Sequence, residues 1–138
     1  MKVYMDNCCY YRPFDNQSQD RIRIEADAIL AILERCNAGK WSLLGSEVVE
    51  FELLRARDES KLKNATALYS SVAESLQVTS LVRQRANELQ KKGLKPLDSL
   101  HVAVAEFGNV AVHLTTDDEL IKKAQNAGIT IKVCNHVN

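Results

Sequence analysis

Short apolar runs alternate with amphipathic ones along the whole chain. Val3-Tyr4-Met5 reads as a first strand. Residues 12–17, interrupted by Pro13 and rich in polar groups, read as a loop. Ser18 is placed to cap a helix that runs to about Cys36, because Ile22, Ala26, Ile29, Leu33 and Cys36 recur at three- and four-residue steps. Asn37-Ala38-Gly39 ends it. Trp41 to Leu44 predicts a second strand, and Ser46 a cap for a helix holding Val48, Val49, Phe51, Glu52 and Leu53. A helix over 59–74, a third strand at Leu76-Gln77-Val78 and a helix from Ser80 to near Gly93 follow. Pro96 opens a further helix to Phe107, since the first turn needs no proline N–H. Val110 to Leu114 is a fourth strand. Thr116 or Asp117 starts a last helix ending at Ala127-Gly128, and Ile129 to Val133 is a fifth strand.

Strands that alternate with helices predict a parallel sheet covered on both faces, a three-layer α/β/α sandwich with right-handed crossovers. The 138 residues suit a single domain spanning 1–138, with 46% hydrophobic and 26% charged residues, as in a folded globular chain. The net charge of zero carries no global signal for nucleic acid, so any such affinity must be local. Cys8, Cys9, Cys36 and Cys134 form no Cys-x-x-Cys, and His101, His113 and His136 are scattered. That spacing predicts neither a zinc site nor a disulfide framework, and reduced cysteine suggests a cytoplasmic protein. No charged leader and no membrane-spanning apolar run is visible.

The candidate chemistry is carboxylate chemistry. An open parallel sheet puts its crevice at the carboxyl ends of its strands. Asp6 directly follows the first strand. Glu52 lies early in the helix after the second. Asp98 falls in the first turn of the Pro96 helix, and Asp117 follows the fourth strand. Four clustered negative charges repel one another unless a divalent cation lies between them. Hard oxygen ligands suit Mg²⁺ or Mn²⁺, and such a site fits phosphodiester hydrolysis. Asp98 and Asp117 could equally be helix-start acids, and Glu52 a solvated helix residue. Glu47 and Glu50 compete with Glu52, and Asp118 with Asp117. Two other classes fit part of the pattern. One is a receiver- or phosphatase-like protein with a phospho-accepting aspartate. The other is a non-catalytic binding module.

Met5-Asp6-Asn7-Cys8 with Arg12-Pro13-Phe14-Asp15, Ser46 six residues before Glu52, Pro96-Leu97-Asp98-Ser99-Leu100-His101, and Thr115-Thr116-Asp117 occur in that order. Together they resemble the motifs of the PIN-domain family over nearly the whole chain. The resemblance implies a five-stranded parallel sheet of order 3-2-1-4-5 and a Mg²⁺- or Mn²⁺-dependent endoribonuclease. By position it makes Asp6, Glu52, Asp98 and Asp117 the metal-site acids. It makes Asn7 and Thr115 or Thr116 groups that orient them or the substrate. It also implies kinship with VapC-type toxins, which are often homodimeric and silenced by an antitoxin protein. The extended 12–17 segment is less like those compact toxins.

RNA would need cations at the rim. Arg12, Arg21 and Arg23 follow the first strand, and arginine pairs well with phosphate. Tyr10, Tyr11 and Phe14 could stack bases, although packing the loop onto the domain is their commoner use. His101 reads as a packed or hydrogen-bonded histidine rather than an acid–base group. Lys91, Lys92, Lys95, Lys122 and Lys123 read as solvated charges near helix ends.

Overall fold

The computed structural model describes residues 1–137. Five strands, β1 (Lys2–Met5), β2 (Ser42–Ser46), β3 (Glu74–Leu76), β4 (Val112–Leu114) and β5 (Lys132–Cys134), form one all-parallel sheet of order 3-2-1-4-5. The helices are α1 (Asn7–Tyr11), α2 (Asp20–Asn37), α3 (Glu47–Leu54), α4 (Glu59–Tyr69), α5 (Ser80–Lys91), α6 (Pro96–Phe107) and α7 (Asp118–Ala124).

The central strand shows why the sheet needs helices on both sides. Val3, Tyr4 and Met5 are all fully buried, so neither face of β1 meets water. Tyr4 pairs in register with Leu44 and His113. On that face the Tyr4 hydroxyl reaches His101 of α6. Gly45 allows a close approach that no other residue would. A Cβ there would stand 2.1 Å from the Tyr69 hydroxyl of α4, which instead accepts a hydrogen bond from the Ser46 amide at 3.1 Å.

Several boundaries differ from the sequence expectation. Residues 12–17 are not all loop: α1 passes into a 3-10 turn over Arg12–Phe14, whose first turn tolerates Pro13. Helix α2 begins at Asp20 rather than after Ser18. Helix α4 stops at Tyr69, five residues before the expected Glu74. Strand β3 is therefore Glu74–Leu76, and Val78 donates its amide to Glu47 instead of to the sheet. Thr79, not Ser80, caps α5 by accepting from the Val82 amide. β2 and β4 start later than expected, and β5 is confined to Lys132–Cys134. The Thr130 amide is taken by Glu106, so the Ile129–Ile131 stretch serves a loop contact rather than a ladder. The Ser46 and Asp117 caps form as expected, accepting from Val49, and from Glu119 and Leu120. Among the described residues no helix is long and apolar enough to cross a membrane.

His136 closes the carboxyl end of the sheet, with Nε2 3.3 Å from the Met5 sulfur. Burial pushes its pKa down to about 4, outweighing Asp6 and Glu25, which favour the charged ring; His113 and Arg12 oppose it. The unfolded chain, with an ordinary histidine, binds the proton more readily between those values, so folding stability rises with pH across that window. Acidification from about pH 6.5 to about 4 should therefore cost up to about 3 kcal/mol through this group. The loss should be blunted in His136→Asn. Denaturant midpoints at stepped pH check this; an unchanged slope in the variant would assign the acid sensitivity elsewhere.

Candidate metal and acid site

The register Met5↔Leu114 sets the ends of β1 and β4 side by side, so Asp6 and Thr115 leave the sheet together. Asp6 is buried. Burial alone would raise its carboxyl. The hydrogen bond and charge of His113, the charge of His101 and the Cys8 thiol instead hold it below the usual carboxylate range. His113 Nε2 lies 3.4 Å from Asp6 Oδ2, while Cys8 and Cys9 donate to Oδ1 at 2.7 Å and 3.5 Å. Burial keeps the Cys9 thiol well above its ordinary pKa, with Cys8 and Asp6 adding to the effect.

Asp98 projects from the first turn of α6, where it caps nothing. Its carboxyl is pushed up to about 6, first by burial and then by the negative charges of Asp117 and Asp6. The charges of Asp6 and Asp117, from two segments far apart in the chain, therefore both bear on Asp98. Asp117 also serves as the helix-start acid: its Oδ1 accepts the Glu119 and Leu120 amides at 3.0 and 3.2 Å. Thr115 Oγ1 accepts the Asp117 amide at 3.1 Å and so sets that loop. Thr116 donates to the Cys8 sulfur at 3.1 Å.

Glu52 stands apart from this trio. Its Oε1 contacts His101 Nε2, whose Nδ1 meets the Tyr4 hydroxyl at 2.6 Å, which in turn lies 2.8 Å from Ser46 Oγ. His101 is thus a buried, hydrogen-bonded histidine, and it links Glu52 to the charges of Asp6 and Asp98. The rival acids are engaged elsewhere. Glu50 accepts from Tyr69 and Ser75 at 2.6 and 2.7 Å, Glu47 holds Val78, and Asp118 forms a two-pronged pair with Arg21.

Among the described residues, no three of the four acids bring ligand oxygens within 4.8 Å of one another; Asp6, Cys8 and Cys9 do. A three-carboxylate cage is not what Mg²⁺ requires, since it keeps several waters and uses one or two carboxylates plus substrate phosphate. The hard, oxygen-only character of Asp6, Asp98 and Asp117, and the charge strain on Asp98, fit such a cation.

The arginines expected at the rim are engaged in ion pairs, and Tyr10 and Tyr11 pack onto the domain, the commoner of their two expected uses. Arg12 turns toward Asp15 and the buried Glu25, both at 3.3 Å, and Arg23 pairs with Asp20. Tyr10 is fully buried edge-on against Tyr69, and Tyr11 bonds the Leu53 carbonyl. A cavity of about 460 Å³ beside Glu52 is bordered instead by Asn7, Cys8, Arg55, Arg57 and Lys61. Arg55 and Arg57 were signalled only by their place at the end of α3, and the Cys8-Cys9 pair only by its adjacency to Asp6.

A parallel sheet of order 3-2-1-4-5 between helical layers is a PIN-like α/β/α fold. It matches a chain of VapBC2 from Rickettsia felis, solved bound to a DNA fragment from their promoter, with a TM-score of 0.66, 14% identity and 98% of each chain covered. DNA-bound VapBC from Salmonella typhimurium gives 0.60 and 13% identity over 99% of this chain and 98% of that one. PAE2754 from Pyrobaculum aerophilum gives 0.60 and 17% over 99% and 85%. No family model and no curated protein sequence matches the chain.

Proposed function

We propose that this protein is a metal-dependent endoribonuclease of the VapC type, with Asp6, Asp98 and Asp117 as the metal-site acids and Glu52 completing the set. The observation that carries the reading is that the charges of Asp6 and Asp117, which follow β1 and β4, both bear on the carboxyl of Asp98 at the start of α6. The strand order argues against a receiver-like protein, whose doubly wound sheet runs 2-1-3-4-5.

When bound there, Mg²⁺ or Mn²⁺ supplies a Lewis acid for the phosphate and a more acidic water. The chain's own residues do the rest. Asp6, held ionised by its donors, and Asp117, fixed by Thr115, present negative oxygens at defined positions. His101 orients Glu52 through a chain anchored on Tyr4 and Ser46. Asn7 borders the cavity as a substrate-orienting group, and Thr116 steadies Cys8. Arg55 and Arg57 offer guanidinium groups to RNA phosphates, the local positive charge that a neutral protein needs. Arg12 contributes by fixing the turn that carries α1.

The partner we propose is an antitoxin protein. The VapBC likeness supports it, as do Phe51 and Leu54, which are 54% and 78% exposed on α3. A homodimer is the assembly we propose for the free protein. The test is cleavage of a structured RNA panel by purified protein with Mg²⁺, Mn²⁺ or chelator. Cleavage is expected only with metal. Equal cleavage in chelator, or none under any condition, would overturn the nuclease reading.

A further inference from the structure

Carboxylate chemistry uses Cys8 and Cys9 only as hydrogen-bond donors, and both sulfurs turn to the same oxygen of Asp6. Both thiols are free, and the two sulfurs and the carboxylate oxygen lie within 4.8 Å of one another. Two thiols and one carboxylate are a different ligand set from the acid trio. Sulfur ligands select soft or borderline cations, whereas carboxylate and water select Mg²⁺ and Mn²⁺.

We propose that Asp6, Cys8 and Cys9 form a binding site for a thiophilic divalent cation of the Zn²⁺ or Cd²⁺ class, and that its occupation withdraws Asp6 from the acid edge and so switches the activity off. The inhibitory half rests on the nuclease reading; the binding half does not.

The distances are close to what such an ion needs. Zinc–sulfur and zinc–oxygen bonds of about 2.3 and 2.0 Å at a tetrahedral angle separate sulfur from oxygen by about 3.5 Å. Cys9 Sγ already stands 3.5 Å from Asp6 Oδ1. Cys8 Sγ, at 2.7 Å, must move out by about 0.8 Å to meet that spacing. Cys8 is only partly buried and borders the cavity that holds Asn7 and Glu52, which supplies both the room and an entry path. Thr116 already donates its hydroxyl to the Cys8 sulfur, the contact that steadies a metal-bound thiolate. Binding exchanges two thiol protons, released to solvent, for two metal–sulfur bonds, and no oxidant or reductant is involved. The fourth position is left to water. Because Asp6 belongs to both ligand sets, an ion held by the sulfurs and an ion held by the acid trio compete for the same side chain.

The test is titration of the reduced full-length chain with Cd²⁺, followed by the ultraviolet thiolate-to-cadmium absorption, with Zn²⁺ as competitor. The expected result is saturation at one equivalent with the intensity of two thiolates. Cys8→Ser should bind at least about 100-fold more weakly. The Cys36→Ser/Cys134→Ser double variant should bind as wild type does. Cys9 is fully buried, so Cys9→Ala is informative only where its circular dichroism matches wild type; the partly exposed Cys8 carries the result otherwise. No absorption in wild type, or absorption kept by Cys8→Ser and lost in the double variant, would overturn the site and leave the thiols as hydrogen-bond donors to Asp6. In a parallel arm, Zn²⁺ near stoichiometry should stop Mg²⁺-dependent RNA cleavage by wild type, and Cys8→Ser should resist it relative to its own zinc-free rate. Cleavage by wild type that continues while the cadmium competition shows the site filled would overturn the inhibitory half. A wild-type protein that never cleaves RNA fails the nuclease reading alone, since the absorption still decides the site.

Discussion

Asp98→Asn should reduce metal-dependent RNA cleavage by on the order of 100- to 1,000-fold, the loss typical when a group aimed at the reacting charge is removed. The same change should make the metal-free protein more stable. Asp98 has its carboxyl pushed up to about 6 by burial and by Asp117 and Asp6. An acid whose folded pKa lies above its unfolded value favours folding only while it is protonated. Its ionisation above about pH 6 works against the fold. An amide cannot ionise, so the penalty disappears in the variant. With the partial exposure of Asp98 and solvent screening taken into account, the gain is about 1–2 kcal/mol above pH 6 and little at pH 4. Rate and stability moving in opposite directions is the signature of a residue placed for function at the expense of the fold. Cleavage assays with saturating Mg²⁺ and melts in chelator measure the two halves. A variant that melts lower than wild type in chelator would mark Asp98 as a structural helix-start acid. An unimpaired rate would remove it from the site.

The acids were legible in the sequence because each follows a strong local signal: an apolar run before Asp6, proline before Asp98, a capping position at Asp117. Their expected convergence rested on a strand order implied by resemblance rather than by the pattern of apolar residues, and the sheet has that order. Other features depended on tertiary pairing that propensity does not encode. Helix α4 carries a helical pattern to Val72, yet its chain is pulled into the sheet where the Ala73 amide bonds the Leu43 carbonyl. Motif spacing picked Glu52 over Glu47 and Glu50 where helical geometry could not, because the distinction lies in what each side chain meets: His101 for Glu52, the Val78 amide for Glu47, and Tyr69 and Ser75 for Glu50. Histidine and tyrosine in three separate segments gave no sign that His113, His101 and Tyr4 would meet, edge-on and tilted, in one buried polar layer.

Glu25→Ala should be the most damaging single change to the fold, by about 3–5 kcal/mol. Glu25 is a carboxylate on α2 with 2% exposure. One of its oxygens faces the Arg12 guanidinium of the 3-10 turn at 3.3 Å. The other faces Arg21 at 3.3 Å and accepts from the Asn135 side chain, beyond β5, at 2.5 Å. Removing it leaves a mostly buried Arg12 with Asp15 as its remaining anion and a buried Asn135 without its acceptor, and both penalties are paid in the folded state only. For a chain of this length that corresponds to a fall in Tm of roughly 10 °C or more. Glu25→Gln, which keeps an acceptor and loses the charge, should fall about half as far. The same network fixes the expectation for Arg12. Arg12→Ala strips the buried carboxylate of a cation, so it should lower Tm and leave the RNA KM unchanged wherever the protein stays folded. A normal Tm with a raised KM would instead return Arg12 to the RNA-binding surface.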